Sequence, residues 1–581
     1  MKFRTFIIPL AVAAGLVLVL GLGLLGGLVA RAPLYLIERG GQSTPLALQF
    51  VPKQSPLVAS VLTRPDRLAQ LWAYRTAPKL RQEAQRDIEQ IERTLLADTG
   101  LVYDRDIQPW LGEEITAAVV TTDIDQNPAN GLTPGYLVAL ACRDSALAKT
   151  TLELFWQNRA VAGEALTFED FSGNRLIYVR RLDTSTQKGY SGRAFDQLAT
   201  AVVANQFVLV ASHPDVLRQA LTAAQAGDTS LRSDRRYKSA LRTLPNNRVG
   251  LLVFNLPKVA DWLHPAALPI DRNDALDVTL SASSELDNRM DWGIMSVALT
   301  PQGILADTAL VAAQGHRLEP RRADLGDWPS LTRYLPDTLP VAAVGSDLGH
   351  LAQELGTLLT PLWPTATFAN PLARSLDGAF GAGTADQVIT GASQGYALGL
   401  SPLEENADWL LITHQSPAMD EALQSLAVLA QQRGLGAGAL SIQDYPTTAW
   451  TRLSLSTTPQ LSGSATSLAV ATQVAGIHAK IDQYEVLTDS PTMMDTVLGW
   501  RQGDVRQPLW TQQVSLFTQP SEAYVHLDWP QVQAGLMQQI PRLRLWEAAA
   551  RPALRHVQQI TLSSYGRTEQ IQTGGIFFRL D

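Results

Sequence analysis

Few residues have the spacing that chemistry requires. Gly391-Ala392-Ser393-Gln394-Gly395 fits GxSxG, the nucleophile elbow in which a serine on a sharp strand-to-helix turn meets a base and an oxyanion hole. That motif needs a strand before it, for which Val388-Ile389-Thr390 is the candidate, and a helix after it. Residues 396–400 instead read as a second strand, so the two glycines and their small neighbours read as a tight turn. A serine hydrolase using Ser393 stays as an alternative. Asp123-x-Asp125-x-Asn127 opens like a calcium loop, but Pro128 stands where the loop needs glycine and Pro134 where it needs a bidentate glutamate. It reads as a solvated hairpin loop, with an incomplete calcium site as the alternative.

His213-Pro214-Asp215 reads as a turn that starts a helix. The eight histidines are scattered without an HxxxH pair, and neither a P-loop nor a GxGxxG at a strand-to-helix turn occurs. The sequence therefore assigns no catalytic residue, no cofactor-binding residue and no metal ligand. Trp110, Trp156, Trp409 and Trp529 sit beside apolar runs and read as core.

The elements that would position such groups are α+β. Residues 57–62 predict a strand and Arg64-Pro65-Asp66 a helix start, with proline in the first turn. A helix is predicted over 79–97, where Ile88, Ile91 and Leu95 share a face. Strands at 115–121 and 136–141 form a hairpin, and Asp144 opens a helix reaching about residue 159. Strands at 166–171 and 176–181 turn at Ser172-Gly173-Asn174, and those at 201–204 and 207–211 turn at Asn205-Gln206. A strand at 249–255 leads into a helix at Leu256-Pro257, and 278–282, 294–299 and 304–311 read as a closing meander.

The order recurs downstream. Leu335-Pro336 to Val344 resembles the entry around Val51 to Val61, and Gly395-Tyr396 resembles Gly135-Tyr136. Residues 409–413 resemble 137–141, and Tyr484 to Pro491 resembles Phe207 to Pro214. Residues 524–530 resemble 251–257, and 561–564 resemble 279–282. The shared order predicts two related domains of mainly antiparallel sheet with packed helices.

Ahead of all this lies the uncharged run 6–30. As a helix it covers roughly 37 Å, enough for a hydrocarbon core of about 30 Å. Lys2 and Arg4 precede it, and Ala30-Arg31-Ala32 imitates a signal-peptide cleavage site, but the apolar core is too long for a signal peptide. It predicts an uncleaved signal-anchor with the body exported. Gly23 and Gly27 form a GxxxG pair, a spacing that permits helix dimerisation. At 581 residues the chain exceeds one ordinary core. A net charge of −8 argues against a nucleic-acid surface, and the single Cys142 excludes an intrachain disulfide.

The run from Tyr103 to Glu114, the segment from Asp123 to Tyr136 and the helix around Phe155-Trp156 resemble a cyanobacterial family of membrane-anchored proteins, domain of unknown function 3352. The resemblance implies a bacterial protein of the plasma or thylakoid membrane and brings no activity or catalytic residue. The expected layout is a tail and transmembrane anchor at 1–31, a linker at 32–55, and α+β domains at 56–318 and 325–581. The expected role is a non-catalytic interaction or scaffold protein with the bilayer and an unidentified protein as partners. The alternative to it, besides the hydrolase, is a binder of an apolar or lipid ligand.

Overall fold

The computed structural model describes residues 35–68, 101–126, 132–179, 197–263, 290–322, 325, 328–359, 370–401, 408–458, 467–499, 508–533 and 556–580. The apolar run 6–30 with Gly23 and Gly27, the helix expected over 79–97, the strand expected at 278–282 and Asn127 lie outside them. No helix among the described residues is long and apolar enough to cross a membrane.

The alternating apolar runs pair into an antiparallel sheet of 21 strands. From one edge it runs β4 (Leu166–Phe171), β5 (Asn174–Val179), β6 (Ala199–Val203), β7 (Phe207–Ala211), β3 (Gly135–Cys142), β2 (Leu111–Thr121), β1 (Leu57–Val61), β8 (Gly250–Asn255), β9 (Met290–Thr300) and β10 (Gly303–Ala312). From the other edge it runs β15 (Gly436–Ile442), β16 (Tyr445–Thr458), β17 (Ser467–Ile481), β18 (Tyr484–Thr488), β14 (Trp409–His414), β13 (Tyr396–Leu400), β12 (Val341–Gly345), β19 (Ala523–Asp528), β20 (Val557–Arg567) and β21 (Ile571–Leu580). The two series have the same order, strand for strand. A short β11 (Arg321–Arg322) pairs with the end of β20.

The series meet where β10 pairs β21, from Gly303↔Arg579 to Val311↔Ile571. Asp307 faces Gly575 at the centre, so a local two-fold normal to the sheet passes through that pair. The sheet thus continues from one side of the division expected between 318 and 325 to the other. Within the expected linker, the described residues 35–55 pack on the sheet. Leu36, Ala47, Leu48 and Phe50 are buried in the core of the first half. A linker reading followed from its Pro and Gly content, but its apolar side chains cover the sheet.

Hairpin turns form where residues tolerate positive φ: Ser172-Gly173 between β4 and β5, Gln443-Asp444 between β15 and β16. Helices cover both faces. On one, Pro214–Gln225 follows β7 and Pro491–Gly499 follows β18. On the other, Ser145–Val161 follows β3 and Pro417–Gln432 follows β14. Both of the latter are capped as their sequences suggest, Asp144 accepting from Ala146 and Leu147 N–H and Ser416 from Met419 N–H. Trp110, Trp156 and Trp409 are buried as expected, and Trp529 is half-buried against the cluster that spans the seam.

Candidate functional site

The first half holds a charged group where the second half is apolar. Glu114 lies on β2 two residues from Thr116, so strand periodicity turns both to the face covered by the helix Pro214–Gln225. Glu114 is 1% exposed. Its carboxylate accepts the N–H groups of Leu46 and Ala47, each at 2.8 Å, and the Thr116 hydroxyl at 3.1 Å. Ser60, opposite Thr116 on β1, shares a 2.8 Å bond with it. Burial raises the carboxyl above its usual range, against the pull of those N–H groups, Thr116 and the Arg232 charge.

The strap that Glu114 holds is tied at both ends. Gly41 N–H donates to the Arg248 carbonyl and Gln42 N–H to the Leu62 carbonyl, both at 2.7 Å. Gly40 sits at φ +68°, and a Cβ there would lie 2.3 Å from the Asn247 carbonyl carbon. At the far end Leu231 N–H donates to the Val51 carbonyl at 2.7 Å. Arg248 is fully buried; it spends its guanidinium on the carbonyls of Pro245 and Leu244, and burial lowers its pKa.

Between the strap and the helix Arg235–Arg242 lies an open concavity of about 720 Å³. Asp234 caps this helix through the N–H groups of Arg236 and Tyr237. Lys238 and Arg242, one turn apart, reach the concavity from the helix, Arg232 from the preceding turn, and Ser43 and Thr44 from the strap. The three cations are exposed, and none forms an ion pair among the described residues. Tyr237 also lines the concavity. It is 4% exposed, its hydroxyl has no hydrogen-bond partner among the described residues, and burial pushes its phenol well above the usual range. Cations and hydroxyls around a concavity suit an anion.

The residues singled out by sequence lie elsewhere and do not converge. Ser393 is exposed and makes no hydrogen bond among the described residues. Val388-Ile389-Thr390, expected as a strand, belongs to the helix Thr384–Gly391. Helix precedes serine and strand follows, the reverse of a nucleophile elbow. Asp123 uses its carboxylate on Thr133 N–H, and no metal-ligand cluster of three side chains occurs among the described residues. His213 caps its helix through Asp215 N–H. Cys142 is half-buried, and burial pushes its thiol up to about 11. The site residues were missed because nothing in their local sequence sets Arg232, Lys238 and Arg242 apart from other solvated cations. The one local signal was Glu114, a carboxylate just ahead of the apolar stretch of its strand.

Fold and site define an α+β protein on one extended antiparallel sheet, with a cation-lined concavity in its N-terminal half. The chain belongs to the family described as Protein of unknown function (DUF3352), whose profile matches residues 10–580. No curated protein matches it in sequence. A solved structure described as "Structure of crystal form I of TP0453" aligns with 47% of this chain and 81% of that one, at 8% identity and a TM-score of 0.22. A likeness that slight carries no argument.

Proposed function

We propose that the chain is a membrane-tethered, non-catalytic interaction protein. Residues 6–30 hold it at a bacterial envelope or thylakoid membrane, with the body on the periplasmic or lumenal side. Its two halves are related domains joined edge to edge. The matching strand orders support that relation. The observation that carries a binding role is the concavity beside the strap, whose cations and hydroxyls can hold a ligand but present no nucleophile with a base. Ser393, exposed and without a hydrogen bond among the described residues, is a surface residue between the helix Thr384–Gly391 and β13.

Two measurements test this. The full-length chain should stay with membranes through alkaline carbonate extraction; recovery in the soluble fraction overturns the tether. A fluorophosphonate probe should leave Ser393 unlabelled. Labelling that disappears in Ser393→Ala overturns the non-catalytic reading.

A further inference from the structure

We propose that the concavity beside the strap is an anion site for a phosphate group, and that the group is the head of an anionic phospholipid in the bilayer that holds the chain. Three observations meet there.

The first is charge. Arg232, Lys238 and Arg242 converge on one depression of a chain whose net charge is −8. Of the nearby acids, Glu114 lies beneath, held by two N–H groups and Thr116, and Asp234 caps the helix, while the exposed Asp228, next to Gly227 of the rim, leaves the three cations in excess. Arginine matches the oxygens of a phosphate through its planar fork, and lysine adds a point charge.

The second is an unused donor. A buried hydroxyl without a partner is costly. Tyr237 lines the depression and its hydroxyl, closed off from solvent just behind the wall, is such a group; a phosphate oxygen that reached it would give it an acceptor.

The third is place. The apolar run ends at residue 30 and the first described helix starts at Tyr35. Whatever path the intervening residues take, they span at most about 18 Å. That helix leads straight into Gly40 and Gly41, which pack on Asn247 and Arg248, and then into Ser43 and Thr44 of the depression. The anion site thus stands beside the point of attachment. The lipid source rests on the tether proposed above; the anion site does not, and carbonate extraction tests the tether separately.

The test uses the full-length chain in a nonionic detergent. Inorganic phosphate, dihexanoyl-phosphatidylglycerol and dihexanoyl-phosphatidylcholine are titrated in by calorimetry, at low and high salt. The anionic lipid should bind at least about ten-fold more tightly than the zwitterionic one, and salt should weaken it. Arg232→Gln with Arg242→Gln, both exposed and neither in an ion pair among the described residues, should cost about ten-fold or more. Tyr237→Phe, which keeps the ring, should cost roughly three- to ten-fold. Phosphate binding without lipid binding, lost in the arginine variant, upholds the anion site and overturns the lipid source. Binding unchanged in both variants, or no binding of either probe, overturns the site.

Discussion

Strand register allows the two halves to be compared position by position. Leu57 and Val341 open equivalent strands, so the pairings of β1 with β2 and of β12 with β13 set Ser60 against Val344, Thr116 against Ala397 and Glu114 against Gly395. One half therefore places a hydrogen-bonded carboxylate under its strap. The other places Gly395, at φ +102°, where a Cβ would come within 3.2 Å of Leu331 on the covering helix Trp328–Thr332 and within 3.0 Å of His414. Both solutions close the same gap between sheet and cover. The glycine packs on Leu331 and His414 and brings no side-chain acceptor. The polar one anchors a chain segment by its backbone N–H groups, and that segment then forms one wall of the concavity. The same architecture can thus be kept for packing in one half and adapted to binding in the other.

The largest effect should come from exchanging that pair. Glu114→Gly gives the first half the residue of the second. It leaves two strap N–H groups without an acceptor, at about 1–3 kcal/mol each, so a loss of roughly 3–5 kcal/mol is expected in urea unfolding. A loss below about 1 kcal/mol would mean that the strap does not depend on Glu114, and the comparison fails.

A second exchange probes equal bonding with unequal charge. Tyr136 N–H donates to the Ser212 hydroxyl at 2.9 Å, and the equivalent Trp409 N–H donates to the Asp489 carboxylate at 3.0 Å. Burial raises Asp489 from 3.8 to about 6, with Asp408 adding to the rise against the bonds from Trp409 and Ser375. A folded-state pKa above the unfolded value gives stability that is present at low pH and lost as pH rises through about 6. Asp489→Ser keeps an acceptor for Trp409 N–H and removes the titration. Compared by thermal unfolding from about pH 4 to pH 7, the variant should gain on the native chain by up to roughly 2 kcal/mol. A difference independent of pH would break the assignment.

The smallest effect concerns the outer hairpins. Ser172-Gly173 turns one and Gln443-Asp444 the other, with Asp444 at φ +67°. Asp444→Gly copies the first half and should stabilise by about 0.5 kcal/mol, because glycine takes positive φ without a Cβ clash. A loss of stability would show that the Asp444 side chain matters to the turn.

Much of the sheet was legible. The strands at 57–62, 166–171 and 207–211 alternate or run apolar between turn residues, and each formed within a residue or two. The helix after Asp144 was legible from its cap. Two comparisons slipped, that of 409–413 with 137–141 by one residue. Gly395-Tyr396 was matched with Gly135-Tyr136, whereas register sets Gly395 opposite Glu114 and Tyr136 opposite Trp409. A glycine followed by a strand looks the same at either place, because local sequence does not encode the neighbouring strand. The packing within the expected linker 32–55 was illegible for a related reason: Pro and Gly signal irregular backbone, which is as compatible with a packed strap as with a loose linker.

By itself the sequence determined where strands, turns and capped helices form, since those depend on side-chain periodicity, φ preferences and neighbours a few residues away. It also determined an apolar segment long enough to span a bilayer. Only the tertiary structure decided that β10 and β21 fuse the halves, that Glu114 meets the N–H groups of Leu46 and Ala47, and that Arg232, Lys238, Arg242 and Tyr237 share a concavity with Ser43. These contacts join residues about seventy to almost three hundred positions apart, selected by burial and pairing across the whole sheet, for which no local pattern exists.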